Sequence, residues 1–237
     1  MNKIGKPHIC IFAKPAIPGH TKTRLAKDIG EQNAAKLSAA MLYDLAEQAT
    51  QIIDSQVCIQ YPPNYSPFDY INLKSFNLTY FPQEGTNLGE RMFYCFKSLL
   101  EANTSKVVII GSDCVSHTAE SLKRAIQLLD DYPVVIQPAE DGGYTLIGMT
   151  IINYQIFNGI QWGGNDVMAL TKEKLITEKI PFFELPMTFD VDTIEDIPKL
   201  IKYCKNNIKS KISEVLLDIL GMTENIFFSL PGDQASC

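Results

Sequence analysis

The markers of several common protein classes are missing from this sequence. Its 237 residues include six cysteines (Cys10, Cys58, Cys95, Cys114, Cys204 and Cys237), but no Cys-x-x-Cys pair and no histidine at zinc-ligand spacing. Most of these cysteines sit in apolar runs, as buried reduced thiols do. Neither a Walker A loop nor a Gly-x-Gly-x-x-Gly turn occurs, which argues against P-loop NTPases and Rossmann dehydrogenases. No serine or cysteine lies in a nucleophile elbow, so no hydrolase triad is indicated. Positive charge is scarce: 21 Lys and Arg against 27 Asp and Glu leave a net charge of -6, which excludes nucleic-acid binding through bulk basicity. Long apolar runs are absent too, and nothing approaches the roughly 18 residues that suggest a membrane span. No secretory signal is visible, because Pro7 and Lys14 bracket only a few apolar residues. A cytoplasmic protein without membrane or nucleic-acid partners is expected.

A regular alternation of strand-like and helix-like segments remains, the pattern of an α/β fold around a mainly parallel sheet. The residue ranges 8–13, 57–59, 78–81, 106–110 and 134–136 read as strands, and 145–149 is a further apolar run. The ranges 31–51, 88–102, 118–129, 165–177 and 193–203 read as helices, from apolar residues at helical spacing or from N-terminal capping patterns. We expect one domain over residues 1–205, followed by a C-terminal helix and tail over 206–237. A chain of this length buries roughly 70–75% of its unfolded surface, so its core needs no disulfide or metal.

The stretch Lys14 to Arg24 directly follows the first strand and carries Lys14, Lys22 and Arg24 with Gly19 and two prolines. In open α/β sheets ligands bind at the carboxyl ends of strands, where such a loop can aim backbone N–H groups and cations at phosphate oxygens. An ordinary solvated basic loop has the same composition. Asp113 ends the most apolar strand, where a carboxylate could hold Mg²⁺ or Mn²⁺ or could cap the next helix. Asp190 and Asp192 form a second acidic group, with Asp192 or Thr193 as a possible helix cap. Asp141-Gly142-Gly143-Tyr144 is a hairpin signal that also sets a carboxylate beside two residues without side chains. Trp162, the single tryptophan, is followed by two glycines and could stack on a ligand or anchor its loop.

Taken in order, residues 12–25, Asn87-Leu88-Gly89-Glu90-Arg91-Met92, Ile110-Gly111-Ser112-Asp113-Cys114, residues 138–148, 157–163 and 190–193 resemble the bacterial DUF2064 family. That family is identified with glycosyltransferases of the GT-A, nucleotide-diphospho-sugar transferase fold. The resemblance spans about residues 8–205. It implies that Lys14, Gly19, Lys22, Thr23 and Arg24 grip nucleotide phosphates, and that Gln83 and Gly85 contact the base. It further implies that Asp113 and Asp192, the latter favoured over Asp190, bind Mg²⁺ or Mn²⁺. The chain departs from the family in Asn87 for Asp, in Val115 for Pro, and in Gly164 for Thr or Ser. The basic loop and the Asp-x-Asp-Thr element are also similar to those of guanylyltransferases that build a deazaflavin cofactor. The expected activity is therefore transfer from a nucleotide sugar to a small-molecule acceptor, with nucleotidyl transfer from an NTP as the alternative and a non-catalytic nucleotide-binding module as a third reading. Asp141 is the expected catalytic carboxylate, with Gly142, Gly143, Tyr144 and Trp162 on the acceptor side. Lys22 and Arg24 are expected to extend from an exposed loop.

Overall fold

The computed structural model describes residues 5–207 and 209–223; Cys237 and the last part of the predicted tail lie outside the described residues. Seven strands form one sheet: β1 (His8–Phe12), β2 (Gln56–Tyr61), β3 (Thr79–Pro82), β4 (Val107–Gly111), β5 (Val134–Pro138), β6 (Tyr144–Met149) and β7 (Phe182–Glu184). Their order is β3-β2-β1-β4-β6-β5-β7. All neighbours run parallel except β6, which is antiparallel to both β4 and β5. Because β6 alone is reversed, β5 again runs with β4. The carboxyl ends of β1, β4 and β5 therefore share one edge of the sheet, and the turn joining β5 to β6 lies there too.

Seven helices cover the two faces: α1 (Ala26–Ile29), α2 (Glu31–Thr50), α3 (Leu88–Glu101), α4 (Ala119–Leu128), α5 (Val167–Thr177), α6 (Ile197–Asn206) and α7 (Lys211–Leu220). The strands are buried on both sides, which explains their near-continuous apolar character. Along β1, Ile9 and Ile11 join Leu42 and Leu45 of α2, Val108 and Ile110 of β4, and Leu122 of α4. Cys10, between them, faces the opposite layer with Met92 and Phe96 of α3 and Leu175 of α5. The five described cysteines are free and buried, in line with their apolar settings. The α4 start is a capping box, with Thr118 and Ser121 satisfying each other's backbone N–H groups.

Two elements depart from the sequence reading. Strand β7 has only three residues and no alternation, so it offers no period to detect. The expected helix over 193–203 is broken into a turn of 3₁₀ helix (Ile194–Asp196) and α6, with Pro198 in the first turn of α6, where a missing N–H costs nothing. No described helix is long and apolar enough to cross a membrane.

The helix α7 is tied to α2 in two ways. Leu37 and Met41 of α2 pack against Ile212 and Leu216 of α7 and Leu200 and Cys204 of α6. The buried Asp44 carboxylate accepts the backbone N–H groups of Lys211 and Ile212 at 2.9 and 3.0 Å. Those donors open a helix and have no partner within it. Replacing Asp44 by Ala should thus cost about 1–3 kcal/mol through two stranded donors, whereas Asp44→Asn, which keeps one acceptor, should cost less. Urea unfolding checks this; equal stability of Asp44→Ala and wild type would contradict it.

Candidate active site at the carboxyl edge of the sheet

A cleft of about 540 Å³ opens at this edge, lined by the loop after β1, the turn after β4, Gln83 and Arg91, and Asp192. Residues 14–24 fold into tight turns. The N–H groups of His20 and Thr21 donate to the Ile17 carbonyl at 3.0 and 3.3 Å, and the Thr21 hydroxyl reaches Ser38 on α2 at 3.0 Å. Gly19 has φ +78°, and a side chain there would crowd Glu31. Lys14, Thr23 and Arg24 are exposed along the cleft.

Lys22 differs from the expectation of an exposed loop cation. Its side chain is 2% exposed, and its Nζ donates to Asp113 Oδ1 at 2.6 Å and to the Val191 carbonyl at 2.5 Å. Its φ of +44° lies in the left-handed region, unusual for a residue other than glycine. The backbone turns there so that the side chain enters the protein instead of the solvent. The partners of Lys22 lie 91 and 169 residues away, which is why its burial leaves no local trace in the sequence.

The second partner belongs to a strap formed by residues 185–192. This segment continues beside the end of β5, with Leu185 N–H on the Ile136 carbonyl (2.8 Å) and Thr188 N–H on the Pro138 carbonyl (3.0 Å). It then crosses to β4, where Val191 N–H donates to the Asp113 carbonyl at 3.0 Å. This crossing brings the second acidic group beside the first. Asp192 Oδ2 accepts from Arg24 at 3.1 Å, a largely exposed pair. The Asp196 carboxylate accepts from the N–H groups of Asp192 and Thr193 and from the Thr193 hydroxyl, closing the strap into its turn. Burial alone would raise Asp196, but these hydrogen bonds outweigh it and hold the group below its usual range.

Asp190 takes no hydrogen bond from any described residue. Burial pushes its carboxyl up to about 7, and the negative fields of Cys114, Asp113 and Asp141 add to the effect against the opposing field of the buried His117. A carboxylate left without donors beside two others is a place where a cation would be stabilised. The Asp113 side chain is half exposed, and its Oδ2 has no hydrogen bond among the described residues. No three metal-ligating side chains converge among the described residues. The donor set fits a hard ion such as Mg²⁺, which commonly takes one or two carboxylates and completes its shell with phosphate oxygens and water.

Gln83 and Gly85, the expected base contacts, lie at the far end of the sheet edge. Gln83 is buried, its Nε2 donating to the Gln60 carbonyl at 2.8 Å and its Oε1 accepting from Arg91 at 3.4 Å. Gly85, with φ +115°, lies so close to α3 that a Cβ would meet Glu90 at 2.7 Å, and its carbonyl accepts from Arg91 Nε at 3.3 Å. Arg91, which carried no assigned role from sequence, thus joins the cleft.

The turn after β5 stands apart from this cleft. Gly142 has φ +89°, and a Cβ there would sit 1.9 Å from the Asn165 carbonyl oxygen, so only glycine fits. Asp141 is exposed, with Oδ1 accepting from Gly143 N–H at 2.9 Å; it reaches the cleft only through its field on Asp190. The hairpin reading of this segment holds, with β5 and β6 paired antiparallel on either side of the turn. Trp162 anchors its loop: a Cβ on Gly89 would lie 2.5 Å from its ring, and it meets Tyr144 edge-on at 6.4 Å. Tyr144 is half-buried, and burial pushes its hydroxyl pKa up.

Residues 28–164 match the family described as "Uncharacterized protein conserved in bacteria (DUF2064)". No protein of curated function matches the chain in sequence. Among solved structures, a provisionally named nucleotide-diphospho-sugar transferase from Desulfovibrio desulfuricans is 29% identical, with a TM-score of 0.84 over 92% of this chain and 96% of that one. A cytidylyltransferase from Leptospira borgpetersenii shares 16% identity, a TM-score of 0.58, and 96% and 99% coverage. The Mycobacterium tuberculosis protein Rv0371c, solved in complex with manganese, shares 14% identity, a TM-score of 0.50, and 83% and 98% coverage. The fold is that of the nucleotide-diphospho-sugar transferases.

Breaking a buried ion pair by removing one partner costs about 3–5 kcal/mol, and the half-exposed Asp113 reduces this to about 1–3 kcal/mol for Lys22→Ala, since water can solvate the carboxylate left behind. Arg24→Ala, which removes a solvent-screened pair, should change stability by less than about 1 kcal/mol. Thermal melts of the two variants would reveal the difference; matching melting temperatures would mean that Lys22 carries no structural charge pairing.

Proposed function

The chain belongs to the DUF2064 family, and we propose that it is a transferase using a nucleotide-activated donor, a nucleotide sugar, with a small-molecule acceptor. The observation that carries this reading is the meeting of Asp113 and the Asp190–Asp192 strap with a basic loop at the carboxyl edge of the sheet. The likeness in fold and sequence to the Desulfovibrio protein supports a sugar nucleotide as donor.

The roles follow from charge. Lys14 and Arg24 face the cleft and would bind the diphosphate, together with any N–H groups of the loop that remain open. Lys22 acts one step behind them. It holds Asp113 at the β4 end and the strap against it, so that the carboxylates stay aimed at the phosphates. Asp113, with Asp192 or Asp190, would hold Mg²⁺ or Mn²⁺. A divalent ion there supplies charge neutralisation for the departing diphosphate, and the manganese complex of a fold relative is consistent with that choice. Asp141 would accept the proton of the acceptor hydroxyl, its carboxylate oriented by Gly143 N–H.

Nucleotidyl transfer with pyrophosphate release is the second reading, favoured by the cytidylyltransferase likeness. The products separate the two. With a substrate pair in hand, release of nucleoside diphosphate supports glycosyl transfer and release of pyrophosphate supports the alternative. In either case Asp141→Asn should leave donor affinity unchanged and lower kcat by about 10²–10⁴-fold, the usual value of general acid–base catalysis. Full activity of Asp141→Asn would reduce that residue to a hairpin position.

A further inference from the structure

On the nucleotide-donor reading above, we infer that Arg91 reads the base, and that it selects one with two adjacent hydrogen-bond acceptors, guanine or cytosine. The sheet order sets how far the two ends of the cleft lie from each other. Asp113 follows β4, while Gln83 follows β3, three strands further along; at about 4.8 Å per strand the two lie roughly 14 Å apart. With the phosphates between Asp113 and the basic loop, the base extends toward Gln83 and Arg91. Gln83 is buried and already spends one donor on Gln60 and one acceptor site on Arg91, which leaves Arg91 as the charged group at this end of the cleft.

Arg91 is the group those bonds prepare. Its Nε is fixed on the Gly85 carbonyl and its Nη1 on Gln83, which sets the plane of the guanidinium. Its Nη2 has no hydrogen bond among the described residues, and the side chain lines the cleft. A planar guanidinium offers parallel N–H groups and no acceptor. Guanine matches it with O6 and N7, and cytosine with O2 and N3. Adenine sets its amino donor beside N1 and N7 and has N3 as a lone acceptor, and uracil separates its two carbonyls by an N–H. Either would leave one arginine donor facing a donor or nothing. The buried Gln83–Gln60 bond makes the arrangement rigid, so the site pays little ordering entropy when a base arrives.

The test is calorimetric binding of GDP, CDP, ADP and UDP with Mg²⁺ to the full chain and to Arg91→Ala and Arg91→Lys. GDP or CDP should bind at least about tenfold tighter than ADP and UDP, and the two preferred bases are told apart by the same titrations. Arg91→Ala should abolish the preference while leaving ADP and UDP affinities unchanged, and Arg91→Lys, which lacks the planar pair of donors, should also lose most of it. Equal binding of all four by wild type, or a uniform loss across all four in both variants, would assign Arg91 to phosphate and overturn the inference alone. If none of the four binds to the wild type, the nucleotide reading itself falls and this inference with it. Circular dichroism of both variants identifies a folding defect; Arg91→Lys, which retains the positive charge and the stem, then carries the comparison.

Discussion

The buried ammonium of Lys22 ties together three segments that are remote in sequence. One bond fixes the basic loop to the end of β4, and the other fixes it to the strap that carries Asp190 and Asp192. A lysine charge withdrawn from water must be matched closely, and here a carboxylate and a carbonyl match it. The left-handed backbone at Lys22 adds a further cost, since such a strained conformation persists only where surrounding contacts over-determine it. Strain of this kind gathers at functional sites, and here it falls on the residue that sets the position of Asp113.

The electrostatic design follows from that clamp. Asp190 lies in the fields of Asp113 and Asp141 and is left without a donor among the described residues. Two positive groups answer the carboxylates of this edge: Lys22 on Asp113 from inside the protein, and the exposed Arg24 on Asp192. The remaining negative field calls for a cation, and the exposed Lys14 and the open face of Arg24 call for an anion. The proposed metal–diphosphate pair would satisfy both at once, which neither ligand would alone. The sheet makes this possible because its single reversed strand, β6, returns the β5–β6 turn to the same edge.

Much of this was legible in the sequence, and the parts that were not share a cause. The buried strands β1 and β4, the capping box at Thr118 and the hairpin at Asp141-Gly142 are local patterns, read from a few neighbouring residues. The resemblance carried by the basic loop, Asp113 and the Asp-Val-Asp-Thr element pointed to the right fold. Lys22, by contrast, looks like any loop cation until its partners, far along the chain, fold against it. The bonds of Gln83 were hidden for the same reason: they go to Gln60 and Arg91, on different elements. Strand β7 was missed because three residues carry no period. Asp190 and Asp192 are equivalent in sequence, and only the strap separates the one held by Arg24 from the one left without a donor.

The central claim is that the clamped carboxylates and the basic loop bind a metal and a nucleotide together. Electron paramagnetic resonance of Mn²⁺ tests it directly. Free Mn²⁺ signal should fall when protein and a nucleoside diphosphate are both present, much more than with either alone, and Asp113→Ala should abolish the effect while remaining folded. Equal Mn²⁺ uptake by wild type and Asp113→Ala, or uptake indifferent to nucleotide, would contradict the account.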